Sequence, residues 1–156
     1  MELTARDIMS PDFDTIRPEA SVSEAVKLIF KGKVRSTGYK NISIMVTNEL
    51  GTLVGVISML DILYHLRPAF MNYEMDSSPL WEDELEPYIE RFKNLTVEQI
   101  MSSPVITVLP DTQLMVVIDL MVKKKGHRIP VVEEGMLLGV VYLSEVFHTL
   151  CRTWLE

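Results

Sequence analysis

The chain has 156 residues, 47% of them hydrophobic, and a formal net charge of −7, so it is long enough to bury one good core. The negative balance argues against general binding to nucleic acid or anionic membranes, since both require a surplus of positive charge. The single cysteine, Cys151, excludes an internal disulfide framework and a cysteine-based zinc site. No apolar run is long enough to span a bilayer. We therefore expect a soluble, cytoplasmic domain.

The first elements of the chain indicate an internal duplication. The segment Thr4–Met9 parallels Thr96–Met101, and in each the threonine can cap a short helix. The segment Thr15–Pro18 parallels Thr107–Pro110, and each is typical of a short strand closed by proline. Because a repeat decides the whole fold, we interpret the chain as two repeats that share one core.

A helix and a hairpin follow in each repeat. Apolar residues recur at helical spacing, and then two short apolar runs flank a turn. The runs align Met45-Val46 with Val131-Val132, which leaves extra residues around 35–41 in repeat 1. A final helix begins at Ser58 in repeat 1 and near Ser144 in repeat 2.

These elements predict an α/β (α+β) fold of two β-α-β-β-α repeats, packed about a pseudo-twofold axis because neither half could cover its own sheet. Repeat 1 spans 1–66, an acidic and aromatic insertion spans 67–95, and repeat 2 spans 96–156. Within the insertion, helices are predicted to start at Ser78-Pro79 and at Pro87, since proline suits the first helical position. The insertion either docks on its own module or presents a face to a partner.

The start of the final helix in repeat 1 carries the residues with the clearest chemistry. Ser58 and Asp61 place a hydroxyl and a carboxylate at a helix N-terminus, where exposed N–H groups favour anions. The same spacing is that of an ordinary capping box, and the two roles can coexist. The basic cluster His127-Arg128 with 123–125 is either a solvated helix end or a phosphate-facing group. No motif predicts a metal site or a catalytic nucleophile.

Taken in order and twice, these motifs resemble the cystathionine-β-synthase (CBS) domain, in the tandem pair called a Bateman module. The resemblance is carried by Asp7-Ile8-Met9, Thr15-Ile16-x-Pro18, Ile44-Met45-Val46, Gly51-x-Leu53-Val54-Gly55-Val56-Ile57-Ser58-x-x-Asp61-Ile62-Leu63, Gly126-His127-Arg128-Ile129-Pro130-Val131-Val132 and Gly139-Val140-Val141. It implies a regulatory module without catalysis or covalent cofactor. Such a module binds AMP, ADP, ATP or S-adenosylmethionine between the repeats and signals to a regulated protein.

The resemblance also implies roles for single residues. Asp61 would accept hydrogen bonds from the ribose hydroxyls, and Ser58 would lie near the phosphates. The remaining contacts would be Thr15, Ile16 and Met45 at the adenine and His127 and Arg128 at phosphate. A second, weaker cleft would use Thr107, Val108, Pro130, Tyr142 and Glu145. Tyr142 replaces the family's Ser or Thr and either stacks on adenine or fills the cleft, and Glu145 replaces Asp, so the sequence favours the Asp61 cleft.

The helices of both repeats carry apolar residues beyond one stripe, including Phe30 and Val122. Large exposed apolar patches are unusual in monomers, so we expect a homodimer through these helices. The aromatic part of the insertion, residues 81–92, could instead cover these faces within one chain. A second hypothesis for function is a ligand-free CBS pair that acts as a dimerisation or assembly element.

Overall fold

The computed structural model describes residues 2–67 and 82–155. The first half contains α1 (Ala5–Ile8), β1 (Thr15–Ile16), α2 (Val22–Phe30), β2 (Ser43–Thr47), β3 (Leu53–Ser58) and α3 (Met59–Leu66). The second half contains α4 (Glu82–Lys93), α5 (Val97–Ile100), α6 (Leu114–Lys124), β4 (Arg128–Glu133), β5 (Met136–Tyr142) and α7 (Leu143–Cys151), followed by a 3-10 helix (Arg152–Leu155). None of the helices in these described ranges is long and apolar enough to cross a membrane. The predicted α+β class with two similar halves is confirmed.

The two sheets differ in size because of one proline. In the first sheet, β1 runs parallel to β2, β2 pairs antiparallel with β3, and Met45 N donates to Asp14 O at 2.9 Å. At the equivalent position of β4 stands Pro130, which has no N–H to donate. The strand predicted around Thr107-Val108 is consequently reduced to a single parallel bridge between Val108 and Val131, and the second sheet contains only β4 and β5.

The register of the hairpins corrects the sequence alignment of the repeats by one residue. Val46 lies opposite Gly55, and Val131 lies opposite Gly139. Val46 therefore corresponds to Val131, so the alignment of Met45-Val46 with Val131-Val132 is wrong by one. An irregularity follows this position in both hairpins, and an unbroken apolar run carries no alternation that would set the register.

The two halves are interlocked through their first helices. Ala5 and Ile8 of α1 lie in the core that α6, β4, β5 and α7 form, whereas Val97 and Ile100 of α5 lie in the core of α2, β2 and β3. A third buried cluster of Met45, Val56, Val140 and Tyr142 joins the two sheets. Each short helix thus packs in the half opposite to its own repeat, and the chain that follows it crosses the interface.

Backbone pairing continues this exchange beyond the helices. Ser10 bridges to Val140 on β5, and Ser102 bridges to Val56 on β3. The segment that follows α5 therefore crosses to repeat 1, and residues 102–106 lie at the start of α3, beside Asp61.

The described part of the insertion packs on repeat 1. The helix α4 runs through Pro87, so the prediction that a helix begins there is wrong. Phe92 in its last turn is buried in the repeat 1 core, and this tertiary contact offsets the one backbone hydrogen bond that the proline removes. The other predicted helix start, at Ser78-Pro79, lies outside the described residues.

Candidate functional site

A cleft of about 600 Å³ lies between the two halves beside the start of α3, and we call it the Asp61 cleft. Repeat 1 contributes Ile42, Val56, Ser58, Met59, Leu60, Asp61 and Leu63. Repeat 2 contributes Ser102, Pro104, Val105, Ile106, Leu120, Met121, Lys124, Lys125, Gly126, His127, Arg128, Ile129 and Pro130. Both repeats therefore build this one cleft.

The Asp61 carboxylate divides its two oxygens between the fold and the cleft. Asp61 Oδ2 accepts hydrogen bonds from Ser58 N at 2.8 Å and from Ser58 Oγ at 2.9 Å, and Ser58 Oγ accepts from Asp61 N at 3.2 Å. The predicted capping box is therefore formed. Asp61 Oδ1 is outside the box and accepts from Ser102 Oγ at 2.7 Å. The oxygen that the helix does not use thus already binds an exposed hydroxyl group.

Ser102 is a site residue that the sequence reasoning missed. It follows α5, and the bridge to Val56 places it beside Asp61. The repeated dipeptides Met9-Ser10 and Met101-Ser102 were a signal for it, since both serines occupy the same position after a capped helix. Only the exchange of the short helices shows which carboxylate the serine reaches.

The part of the Asp61 cleft wall that repeat 2 contributes is basic. Lys124, Lys125, His127 and Arg128 line it, and Asp61 is the only acidic residue among the described lining residues. Desolvation by burial lowers the pKa of Arg128, and the charge of Asp61 opposes that shift. Arg128 Nε is buried without a hydrogen-bond partner. A buried, unpaired donor on a cation is suited to an anionic ligand group.

The rest of the cleft wall is apolar and comes from both repeats. Ile42, Val105, Ile106 and Pro130 supply this apolar lining. Pro130 was assigned to the second cleft by sequence, but it lines this one. An apolar slot with a few convergent polar groups is the usual form of a small-molecule site.

The structure does not bring Thr15, Ile16 and Met45 into the wall of either cleft. Ile16 and Met45 are buried in the cores, and Thr15 lies exposed beside Met45 in the first sheet. Their counterparts Thr107 and Val108 also line neither cleft, since Thr107 is exposed and Val108 is buried in the second core.

A second cleft of about 510 Å³ lies at the start of α7, and we call it the Glu145 cleft after the third residue of that helix, which does not itself line it. It is lined by Arg35, Tyr39, Lys40, Ile42, Ser43, His127, Arg128, Tyr142, Leu143, Ser144 and Phe147. His127 and Arg128 line both clefts. The two clefts therefore share one basic wall.

The buried side chain of Arg35 lines the Glu145 cleft and contacts Glu145. Its Nε donates to Glu145 Oε1 at 2.7 Å, Nη1 to Asn41 Oδ1 at 2.5 Å and Nη2 to Ser144 Oγ at 3.0 Å. The guanidinium carbon lies 3.7 Å from the centroid of the Tyr142 ring. The cation is thus stacked and hydrogen-bonded at the same time, and the sequence reasoning did not find this role for Arg35.

The predicted residues Tyr142 and Glu145 therefore contact Arg35. Burial alone would raise the pKa of Glu145, but hydrogen bonds from Arg35, Thr37 and Ser144 outweigh it and hold the pKa below its ordinary value. Burial raises the pKa of Tyr142 to about 12. Tyr142 consequently remains a neutral phenol under the cation, and Glu145 remains its negative counter-ion.

No cluster of three or more His, Cys, Asp or Glu side chains able to hold a metal ion occurs within 2–67 and 82–155.

No match was found among curated protein sequences. Solved structures are similar over nearly the whole chain. They include the CBS-pair protein CBSX2 from Arabidopsis thaliana, at 23% identity and a TM-score of 0.74, covering 100% of this chain and 99% of that one.

Two further similar structures contain nucleotides. CBSX2 in complex with AMP is 24% identical with a TM-score of 0.70, over 97% of this chain and 98% of that chain. The cytosolic domain of the Mg²⁺ channel MgtE in complex with ATP is 26% identical with a TM-score of 0.66, over 94% of this chain and 48% of that chain. The family model described as CBS domain matches residues 5–68 and 97–152. The chain therefore belongs to the CBS-domain family and carries two copies of the domain.

Proposed function

We propose that this CBS pair is a regulatory module that binds an adenosine nucleotide, AMP, ADP or ATP, in the Asp61 cleft. The observation that carries the proposal is the position of Asp61 Oδ1, which lies outside the capping box and accepts from a hydroxyl, in a cleft that four basic residues also line. A ribose presents hydroxyl donors to such an oxygen, and a phosphate presents anionic acceptors to such a wall. The AMP and ATP bound by CBSX2 and MgtE support the same ligand class.

The two ends of a nucleotide have separate partners in this proposal. The ribose hydroxyls replace the Ser102 hydroxyl at Asp61 Oδ1, and the phosphates contact Arg128 and the neighbouring His127. The base lies in the apolar slot beside Pro130 and Ile106. S-adenosylmethionine carries a sulfonium cation, so the basic wall favours nucleotides over it.

Thermal shift and calorimetry on the purified chain test the proposal. At about 100 times the dissociation constant a ligand adds roughly 2.7 kcal/mol, which raises Tm by about 2 to 4 °C per kcal/mol for this size class. We expect AMP, ADP or ATP to raise Tm and S-adenosylmethionine to raise it less. If all four leave Tm unchanged at millimolar concentration, the proposal is wrong.

Asp61→Ala has a matched control in Asp7→Ala. Asp7 makes the same capping-box hydrogen bond, from Thr4 N at 2.8 Å, but it lies outside both clefts. Both variants lose a cap, which costs about 0.5 to 2 kcal/mol. Only Asp61→Ala should also lose the nucleotide-dependent shift. An equal loss in both variants would assign the effect to folding rather than binding.

A regulatory role without catalysis follows from this proposal. The groups of the Asp61 cleft hold a carboxylate in a capping box and cations at a wall, and both arrangements bind a ligand without providing a nucleophile. The nucleotide would bias the relation between the two halves and thereby signal to a regulated protein. A cytoplasmic setting supplies such nucleotides and fits the free thiol of Cys151.

A homodimer through the repeat helices is the second part of the proposal. Phe30 of α2 is 77% exposed, Val122 of α6 is 68% exposed, and Phe147 of α7 is 68% exposed. The described part of the insertion leaves these faces uncovered, and such apolar exposure is typical of an interaction surface. Sedimentation equilibrium at micromolar concentration should give twice the chain mass, and Phe147→Lys should lower it. A wild-type mass of one chain would contradict the dimer.

The same exposed faces favour the alternative of a ligand-free assembly element. That alternative predicts a dimer with no nucleotide response at all. Calorimetry and sedimentation on one preparation therefore separate the two functions.

A further inference from the structure

The two clefts of the module differ in which groups donate hydrogen bonds to the acidic residue at the start of the adjacent helix. In the Asp61 cleft, Oδ1 is reached by the exposed hydroxyl of Ser102. In the Glu145 cleft, Oε1 accepts from Arg35 and Thr37 and Oε2 accepts from Ser144. Glu145 is buried and Asp61 is only half-buried. The acceptors that a ribose would need are therefore already used in one cleft and accessible in the other.

Arg35 also covers the aromatic surface of the Glu145 cleft. Its guanidinium is planar, lies on the Tyr142 ring and donates to Glu145 through the same group. A nucleoside bound there would need the same two contacts, the ring for its base and the carboxylate for its ribose. The side chain thus makes, from within the chain, the contacts that a nucleoside would make.

The backbone of residues 34–40 fixes Arg35 in this position. Val34 bridges to Lys40, Arg35 N donates to Tyr39 O at 2.9 Å, and Gly38 N donates to Arg35 O at 2.8 Å. Gly38 has φ of 93°, a conformation that side-chain-bearing residues rarely adopt. The arginine therefore projects from a closed loop instead of a free segment.

Repeat 2 has no counterpart of this loop. Its helix α6 is followed directly by Lys125, with φ of 52°, and Gly126, and β4 begins at Arg128. The Asp61 cleft therefore has basic groups in its wall but no side chain inserted from an additional loop. The extra residues that the sequence shows in repeat 1 account for the difference between the clefts.

We propose that Arg35 blocks nucleotide binding in the Glu145 cleft by occupying the Tyr142 ring and the Glu145 carboxylate, so that each chain binds one nucleotide instead of two. This inference deepens the proposed function and rests on nucleotide binding in the Asp61 cleft. Arg35 determines the stoichiometry, because it covers the Tyr142 ring and donates to Glu145 Oε1 at once. Its removal uncovers the ring and leaves Glu145 with only the hydroxyl donors of Thr37 and Ser144, which a ribose can replace.

Isothermal titration of the full chain with AMP tests the inference. We expect one AMP per wild-type chain, two per Arg35→Ala chain, and one per Arg35→Ala/Asp61→Ala chain. Lys31→Ala is the control for the loss of one positive charge, since Lys31 is exposed and lines neither cleft. It should retain one AMP per chain.

A second variant covers the case in which Arg35→Ala does not fold, as judged by far-UV circular dichroism. Arg35→Ala/Glu145→Gln removes the buried charge together with its counter-ion and keeps an amide oxygen that accepts from a hydroxyl. It should also bind two AMP per chain. Two AMP per wild-type chain, or no gain in the folded variants, overturns the inference.

The outcomes separate the inference from the function on which it rests. If the wild type binds no AMP and Arg35→Ala binds one, the blocking role of Arg35 is supported and binding at Asp61 is wrong. If neither binds AMP, both are wrong.

Discussion

Arg35 and Glu145 come from different repeats and form a buried ion pair, with Arg35 Nε 2.7 Å from Glu145 Oε1 and side-chain exposures of 6% and 10%. The other ion pairs among the described residues are exposed to solvent. Arg17 lies 3.7 Å from Glu19 and is 47% exposed. Burial removes the solvent that would otherwise stabilise each charge alone, so the fold depends on both partners of the inner pair.

Arg35→Ala should therefore destabilise the chain by about 3 to 5 kcal/mol, because it leaves the Glu145 carboxylate buried without its counter-ion. Arg17→Ala breaks two exposed pairs, with Glu19 and Glu49, and should cost about 0 to 1 kcal/mol. Urea unfolding of both variants beside the wild type gives the two free energies. Similar costs for the two would show that the inner pair is not sheltered from solvent.

The Arg35–Glu145 pair should make stability depend on pH below the ordinary carboxylate range. The folded pKa of Glu145 lies below the ordinary value of 4.5, so the unfolded chain takes up the proton first as pH falls. The contribution is complete above 4.5 and is lost as pH drops through the lower, folded pKa. The difference in unfolding free energy between wild type and Glu145→Gln should hence be constant near neutrality and shrink in acid.

The matched control for this pH dependence is Glu19→Gln, which removes an exposed carboxylate. Its difference from wild type should stay near zero throughout the series. A Glu145→Gln difference that grows in acid would have the opposite sign to the one expected and would contradict the lowered pKa.

Tyr142→Phe should leave stability unchanged or raise it. The hydroxyl of Tyr142 is buried without a hydrogen-bond partner, so its removal relieves a desolvated polar atom while the ring under Arg35 is kept. Tyr142→Ala deletes the ring and should cost about 3 to 5 kcal/mol, as large-to-small changes of aromatic core residues do. Chemical unfolding distinguishes the two, and a loss above about 1 kcal/mol in Tyr142→Phe would reveal a partner for the hydroxyl.

Gly139→Ala should destabilise the exchange of the short helices. A Cβ at Gly139 would stand 2.8 Å from Met9 Sδ and 3.0 Å from Ser10 O, both on the segment that follows α1. Overpacking of this kind costs about 1 to 3 kcal/mol. Thermal unfolding of Gly139→Ala should show the loss, and Met9→Ala in the same chain should recover part of it.

Gly126→Ala is the control for the glycine prediction, because its added Cβ would meet Arg128 O only at an ordinary 3.8 Å. It should change stability little. If Gly139→Ala costs no more than Gly126→Ala, the segment after α1 does not pack against β5 as described.

The sequence by itself determined the features that depend on residues close together in the chain. The capping pairs Thr4 with Asp7 and Ser58 with Asp61 are three residues apart, so the pattern alone predicted both helix starts, and both boxes are present. The duplication and the hydrophobic periods likewise predicted the α+β class and the two repeats. These features depend on neighbours in the chain, and their signal is complete before the chain folds.

Only the tertiary structure decided which residues of the two repeats come together at each site. The sequence alignment of the two hairpins was wrong by one residue, because the strands are apolar on both faces and carry no alternation that would set the register. The exchange of α1 and α5 between the halves brings Ser102 to Asp61, and the loop before β2 brings Arg35 to Glu145. Contacts between residues so distant in the chain depend on how the two cores pack, and no local pattern encodes that packing.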